Sequence, residues 1–280
     1  MVSDNMPSVN DQENIPGYKE YELDVEQILR NELPGFFEGI PPAALTMKNI
    51  VAIPRHAKGA YLLLHNGSPV YAGKTDTRHG FRDRLKRHHG TLAHRVGLDP
   101  GDVSFKAARV MVFSNFDVEA ILINEMRKRL PGSLPWNDSG FGSNDPGHRR
   151  EGQEPAKFDL EWPVDVDRHL DWIKPGSHNL SGLLALLKNR LPYLLRYQPQ
   201  LVNRKSKKGA SPASDPFREV RETMVCLSDA PISTKSVLKA VIDTLPANQW
   251  QATIFPNRAI LYRAIENYRY ATDIIRKKQS

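Results

Sequence analysis

One cysteine, Cys226, stands among the 280 residues. A single thiol excludes an internal disulfide framework and any cysteine-built zinc site, and it fits a reducing compartment. No apolar run reaches membrane-spanning length. The opening Met1-Val2-Ser3-Asp4-Asn5 lacks a basic stretch followed by an apolar one. No secretory signal is therefore expected, and a cytoplasmic location is. No internal repeat is visible.

Acidic residues are scarce in one place. Arg55 to Arg109 carries eleven Lys/Arg against four Asp, a net of +7, and six of the nine histidines. Met1 to Pro54 is the reverse, with nine acids and three bases. The whole chain is at +7, which permits a polyanionic partner. Charge gathered on one segment reads as a phosphate-facing surface, although a solvated basic face would look alike.

Residues 1 to about 17 are polar and expected to be disordered. Val25 to Glu32 reads as a short helix stopped near Pro34-Gly35. Ala60 to Leu64 and Pro69 to Ala72 have strand character and flank His65-Asn66-Gly67-Ser68, a hairpin turn. Phe81 to Leu92 is amphipathic and basic, hence a helix. Val103 to Phe113 has strand composition. Asp117 to Leu130 reads as a helix, with Asn115 a candidate cap. Gly140 to Gly147 must be loop. Further on, Leu183 to Arg190, Ser233 to Leu245 and Ile260 to Arg276 read as helical pieces around Trp250 to Ile254. The polar stretch Asn203 to Asp215, with Lys205, Lys207 and Lys208, reads as an exposed linker. The chain divides into an N-terminal extension (1–54), a central domain (55–175) and a C-terminal region (176–280) open to DNA contact, dimerisation or packing, with soft boundaries near 175 and, inside the last region, near 215.

The central segment holds side chains suited to cutting a phosphodiester. Such hydrolysis needs an activated water, stabilisation of charge on the phosphoryl oxygens and help for the leaving alkoxide. Glu119, in the first turn of its helix, is the best candidate to hold a divalent metal, and Mg2+ needs few protein ligands. A first-turn glutamate favoured by the helix dipole would read the same. Arg84 and His88 share one helical face. The arginine can grip phosphate in bidentate fashion, and the histidine can handle a proton. Tyr61 and Tyr71 lie across the expected hairpin, where their hydroxyls could relay a proton if a cation such as Lys74 stabilises the phenolate. Asn137 could bond a phosphate oxygen, or simply serve its turn. Arg82 and Arg87 on the basic helix, Lys74 ahead of that helix, and Arg149 and Arg150 after the glycine loop are candidate DNA contacts, to phosphate or to guanine.

In this order, Gly59-Ala60-Tyr61, Tyr71-Ala72-Gly73, Arg84 with His88, Glu119 ahead of Leu122-Ile123, and Asn137 resemble the GIY-YIG nuclease superfamily. Both signature triplets depart from the family's name at the middle residue and keep their tyrosine and glycine. Each element alone is common; six in order are specific. The resemblance covers about residues 55 to 170. Glu119 and Asn137 are eighteen residues apart, longer than the family's usual interval. An insertion around Arg127 to Leu134 would account for the excess. Glu125 is the rival ligand at the usual interval.

The resemblance implies a compact α/β (α+β) domain with a small antiparallel sheet flanked by helices. It implies cleavage dependent on one Mg2+, with Mn2+ able to substitute, held by Glu119. Tyr61 would accept or relay the water's proton. Arg84, His88 and Tyr71 would contact the scissile phosphate, and Asn137 would help orient it. The long N-terminal extension, the glycine loop and residues 158 to 167 are most similar to the type II restriction endonucleases. That branch implies double-stranded DNA, a short palindromic site and a symmetric homodimer. A repair or mobile-element nuclease and a catalytically silent DNA-binding module are the alternatives.

Overall fold

The structure is a computed structural model describing residues 24–76, 78–110, 117–142, 150–198, 217–228 and 231–277. Arg149, the polar start and the Asn203 to Asp215 stretch lie outside these residues, as does the side chain of Arg150.

The central element is the hairpin. β2 (Ala60–His65) and β3 (Ser68–Lys74) pair antiparallel around Asn66 and Gly67, both with positive φ, as a two-residue primed turn requires. β4 (Val103–Ala108) pairs on the other side of β2, and the two-residue β1 (Ala43–Ala44) completes the order β1-β4-β2-β3. Every pairing in this sheet is antiparallel. β3 is therefore an edge strand, where Pro69 is tolerated.

Successive side chains of a strand point to opposite faces, and β2 is apolar on both. Ala60, Leu62 and Leu64 join a core with Leu33 and Phe37 of α1 (Val25–Gly39) and Ile121, Leu122 and Met126 of α4 (Val118–Arg129). Tyr61 and Leu63 point the other way, into a core with Ile50 of α2 (Met47–Ala52) and Phe81, Leu85 and Leu92 of α3 (Phe81–Ala93). Helices thus cover both faces of the sheet, and the chain has the mixed α/β character expected.

Two local expectations need correction. α1 does not stop at Pro34-Gly35 but runs through both to Gly39. Leu33, Pro34 and Phe37 are all buried, and their packing outweighs the bond that a mid-helix proline forfeits. α4 is capped by Asp117, whose carboxylate accepts from the N–H of Ala120, and not by Asn115, which lies outside the described residues. α4 also runs unbroken to Arg129, so irregular backbone is confined to Leu130 to Leu134 instead of beginning at Arg127. A short α5 (Pro135–Asp138) follows, then α6 (Lys157–Glu161).

The C-terminal half has its own core. β8 (Gln251–Phe255) and β9 (Arg258–Tyr262) form a hairpin, with β10 (Asp273–Arg276) antiparallel on β8 and β6 (Leu194–Tyr197) parallel to β9. α7 (Leu180–Arg190) and α9 (Thr234–Thr244) contribute Leu183, Leu187, Val237 and Val241 to the same core. α9 is fixed by a reciprocal capping box between Ser233 and Ser236. A ribbon of β5 (Gly176–Asn179) and β7 (Met224–Leu227) completes the half, with α8 (Arg218–Glu222) leading into β7. Ile260 to Arg276 is thus two strands and a connection, not a helix, because its apolar residues belong to β9 and β10. Val164, Val166, Leu170 and Ile173 pack into this second core, so the change of core falls near residue 163 and not 175. Phe217, Val220 and Val225 pack there too, and residue 215 marks no change of core.

The halves are tied together by buried polar groups. Asp159 on α6 accepts from Arg95 Nη1 at 2.9 Å and from Asn257 Nδ2 at 2.9 Å, the latter in the β8–β9 turn. Arg95 also donates to the carbonyl of Trp162. Val164 donates its N–H to Pro256 O. Among the described residues no helix is long and apolar enough to cross a membrane.

Candidate functional site

The register of the hairpin sets the geometry. Tyr61 is opposite Gly73, and Tyr71 is opposite Leu63, so the two tyrosines are diagonal neighbours on one face of the sheet. Their rings lie 6.2 Å apart between centroids. Gly73 leaves the space that Tyr61 occupies. A Cβ built there would stand 2.7 Å from the Tyr61 hydroxyl and 2.8 Å from Cε1 of Tyr71. Gly59 answers a different constraint, the close passage of β4, for its Cβ would fall 2.0 Å from the carbonyl oxygen of Ala108. Both motif glycines are therefore explained by close approach.

α3 packs on this face and delivers His88, which is fully buried. Its Nε2 lies 2.8 Å from the Tyr61 hydroxyl. The imidazole also stands 5.3 Å from the Tyr71 ring and stacks on Phe141 at 5.0 Å. Phe141 meets Tyr71 edge-on at 5.2 Å and continues into Trp136 and Phe158. This aromatic floor passed unnoticed in the sequence, where residues 140 to 147 read only as loop. The available signal was an aromatic residue between Gly140 and Gly142, both of which adopt positive φ.

Burial controls the titration of these groups. It pushes the Tyr61 phenol far above the ordinary value, reinforced by Tyr71, and it raises Tyr71 as well, reinforced by the Glu119 carboxylate. His88 is pushed down to about 3, first by burial and then by Arg87 and Arg84. At neutral pH the pair is a protonated phenol and a neutral imidazole sharing one hydrogen bond. The cations whose fields reach both tyrosines are Arg84 and Arg87. Lys74, expected to serve them, points elsewhere: its ammonium binds Asp117 at 2.8 Å and lies 3.9 Å from Glu119 Oε2.

Glu119 and Glu125 leave α4 in different directions. Glu125 sits between Arg30 of α1 at 3.3 Å and Lys128 at 2.7 Å, and these partners hold it below the ordinary carboxylate range. Glu119 is partly buried, and its carboxylate accepts no hydrogen bond among the described residues. Burial raises its pKa against the pull of Lys74. Its charge is felt by both tyrosines, and it feels Arg84. The buried Nε of Arg84 has no hydrogen-bond partner among the described residues. A carboxylate that accepts no hydrogen bond among the described residues, in the field of Arg84, would suit as a ligand for Mg2+. Among the described residues no three His, Cys, Asp or Glu gather to make a closed metal cage. Glu119 would be the side chain that holds the ion.

Other expected site residues are placed differently. Asn137 spends both ends of its amide on Ala72: Oδ1 accepts its N–H at 2.8 Å, and Nδ2 donates to its carbonyl at 2.8 Å. The amide therefore clips the open edge of β3 between Tyr71 and Gly73, and does not face a free phosphate position. Arg82 donates Nε to the carbonyl of Ile53 at 2.6 Å, tying α3 to the end of α2. Arg87 is exposed on the face beside the tyrosines.

No protein-family model matches the chain, and a search of curated proteins finds no match.

Proposed function

We propose that the protein is a divalent-metal-dependent endonuclease of the GIY-YIG kind, and within that group a type II restriction enzyme that cuts double-stranded DNA at a short palindrome. One observation carries the reading: two phenols, a neutral imidazole, the Arg84 guanidinium and a carboxylate that accepts no hydrogen bond among the described residues gather over the β2–β3 hairpin. The basic stretch from Arg55 to Arg109 supplies this hairpin and α3, which favours an anionic substrate.

Glu119 would hold Mg2+ or Mn2+. When bound, the ion supplies Lewis-acid stabilisation of charge on the phosphoryl and leaving oxygens. Arg84 donates to the scissile phosphate, and Tyr71, only partly buried, offers its hydroxyl to the same group. Tyr61 and His88 act as a relay. Tyr61 would accept or relay the proton of the attacking water, and His88 Nε2 holds its hydroxyl in place. Arg87, and Arg149 and Arg150 beyond the glycine loop, are assigned to the DNA backbone or bases. A symmetric dimer would match a palindromic site.

The test is digestion of unmethylated plasmid and phage DNA with Mg2+ and with EDTA, with Glu119→Ala alongside. Discrete, metal-dependent bands absent from the variant support the reading. A metal-dependent smear points instead to a nonspecific, repair or mobile-element nuclease. Intact DNA with binding retained points to a silent module.

A further inference from the structure

The loop between β3 and α3 carries an acid absent from the nuclease resemblance. Asp76 is anchored by its own backbone turn. Its Oδ1 accepts from the N–H of Arg78 at 2.8 Å and from the N–H of His79 at 2.6 Å, an Asx-type turn. The His79 ring adds Nδ1 at 3.0 Å from Oδ2. These donors, His79 first, hold the carboxylate well below its ordinary range. Oδ2 also faces Arg84 Nη2 at 3.3 Å. Asp76 thus has Oδ1 fixed by the loop N–H groups, and Oδ2 shared between the His79 ring and the arginine assigned to the phosphate.

We infer that Asp76 is the positioning residue for Arg84: its loop-anchored carboxylate faces Nη2 and so sets the direction in which the guanidinium meets the scissile phosphate. Three features bear on this. Arg84 is the member of the site with a long, rotamer-rich side chain, and a guanidinium held at one nitrogen loses little further freedom when it binds an anion. Its buried Nε has no hydrogen-bond partner among the described residues, an arrangement that costs stability and persists only if the rest of the guanidinium is held. Asp76 is partly exposed, so a surface ion pair with Arg84 alone would add little to stability, which separates this role from a folding role. Asp76 acts through Arg84, and the inference rests on the nuclease reading.

Asp76→Asn is the discriminating variant. An asparagine oxygen still accepts the two loop N–H groups, so the turn survives, while the charge facing Arg84 is gone. Single-turnover cleavage should fall about tenfold or more. DNA binding should hold or tighten, because a negative charge leaves a phosphate-facing surface. In an Arg84→Ala background, Asp76→Asn should change the residual rate no further, the signature of two residues acting as one unit. Asp76→Ala, which loses both turn and charge, should fall at least as far as Asp76→Asn. If Asp76→Asn cleaves at the parent rate while Glu119→Ala is dead, the positioning role is overturned and the nuclease reading stands. If the two effects add independently, Asp76 acts otherwise than through Arg84, and the inference fails. If the parent protein leaves DNA intact with Mg2+, the nuclease reading fails, and this inference falls with it.

Discussion

The Tyr61 hydroxyl and His88 Nε2 meet at 2.8 Å, with Phe141 stacked on the imidazole. The contact links the hairpin to α3, so the bond that packs two elements is also the one assigned to the proposed proton relay. Tyr61→Phe keeps the ring and removes only the hydroxyl. Cleavage should drop about a hundredfold or more while the unfolding temperature changes little. Single-turnover kinetics beside a thermal melt would check this; an active Tyr61→Phe would remove Tyr61 from the relay.

Glu119 and Glu125 should separate cleanly. Glu119→Ala should lose cleavage and keep DNA binding and thermal stability, since the carboxylate holds no protein hydrogen bond among the described residues. Glu125→Ala should cleave normally and melt somewhat earlier, because Arg30 and Lys128 lose their shared partner. A dead Glu125→Ala with an active Glu119→Ala would reverse the assignment.

Gly73→Ala tests the space between the tyrosines. The added methyl collides with both rings, and the chain must shift. Overpacking of this kind costs about 1–3 kcal/mol. Urea denaturation should show that loss, and cleavage should fall further than stability alone accounts for, since Tyr61 and Tyr71 must move apart.

Asn137 is expected to matter as a clip. Asn137→Ala leaves the N–H and carbonyl of Ala72 without their partner at a partly buried edge, a loss of about 1–3 kcal/mol. Asn137→Asp keeps an acceptor for the N–H and sets a carboxylate against the Ala72 carbonyl, so it should also destabilise. Unchanged denaturation midpoints with lost cleavage would instead place Asn137 on the substrate.

Acid should destabilise the protein through His88. The unfolded chain protonates this histidine below about 6.5, whereas the folded chain refuses the proton down to about 3. The unfolded state therefore binds more protons across that window, and stability falls as the pH drops through it. One such group gives a slope of up to about 1.4 kcal/mol per pH unit. Burial also depresses His89 and His94, which add to the trend. Chemical denaturation from pH 7 to pH 4 should show a shallower slope in His88→Asn than in the parent, whatever their absolute stabilities.

The hairpin was legible because its signals are local. Asn66-Gly67 demands positive φ, and the alternation of β2 and β3 fixes which residues share a face. α3 and α9 were legible from apolar spacing for the same reason. What escaped depends on contacts distant in sequence. Pro34 looks like a helix stop until Phe37 is seen packed on the sheet. Ile260, Leu261 and Ile265 suit a helix until β8 and β6 are placed on either side of β9. Lys74 follows the second motif and looks destined for the tyrosines, but Asp117, forty-three residues away, takes it. Asn137 could not be read as a clip, because nothing in the sequence says that the edge of β3 passes beside α5.

The Asp159 bridge has a consequence for how this chain could be cut or recombined. Its two partners come from different halves of the chain, Arg95 from the turn after α3 and Asn257 from the β8–β9 hairpin. Its neighbour Phe158 lies 4.8 Å from Phe141, which in turn stacks on His88. A fragment ending at residue 175 would keep Arg95, lose Asn257, and bare Val164, Val166, Leu170 and Ile173 to water. The first half is thus no detachable cassette. Exchanging C-terminal halves between chains would have to carry α6 and the strand-like connector after it, or disturb the aromatic floor from below.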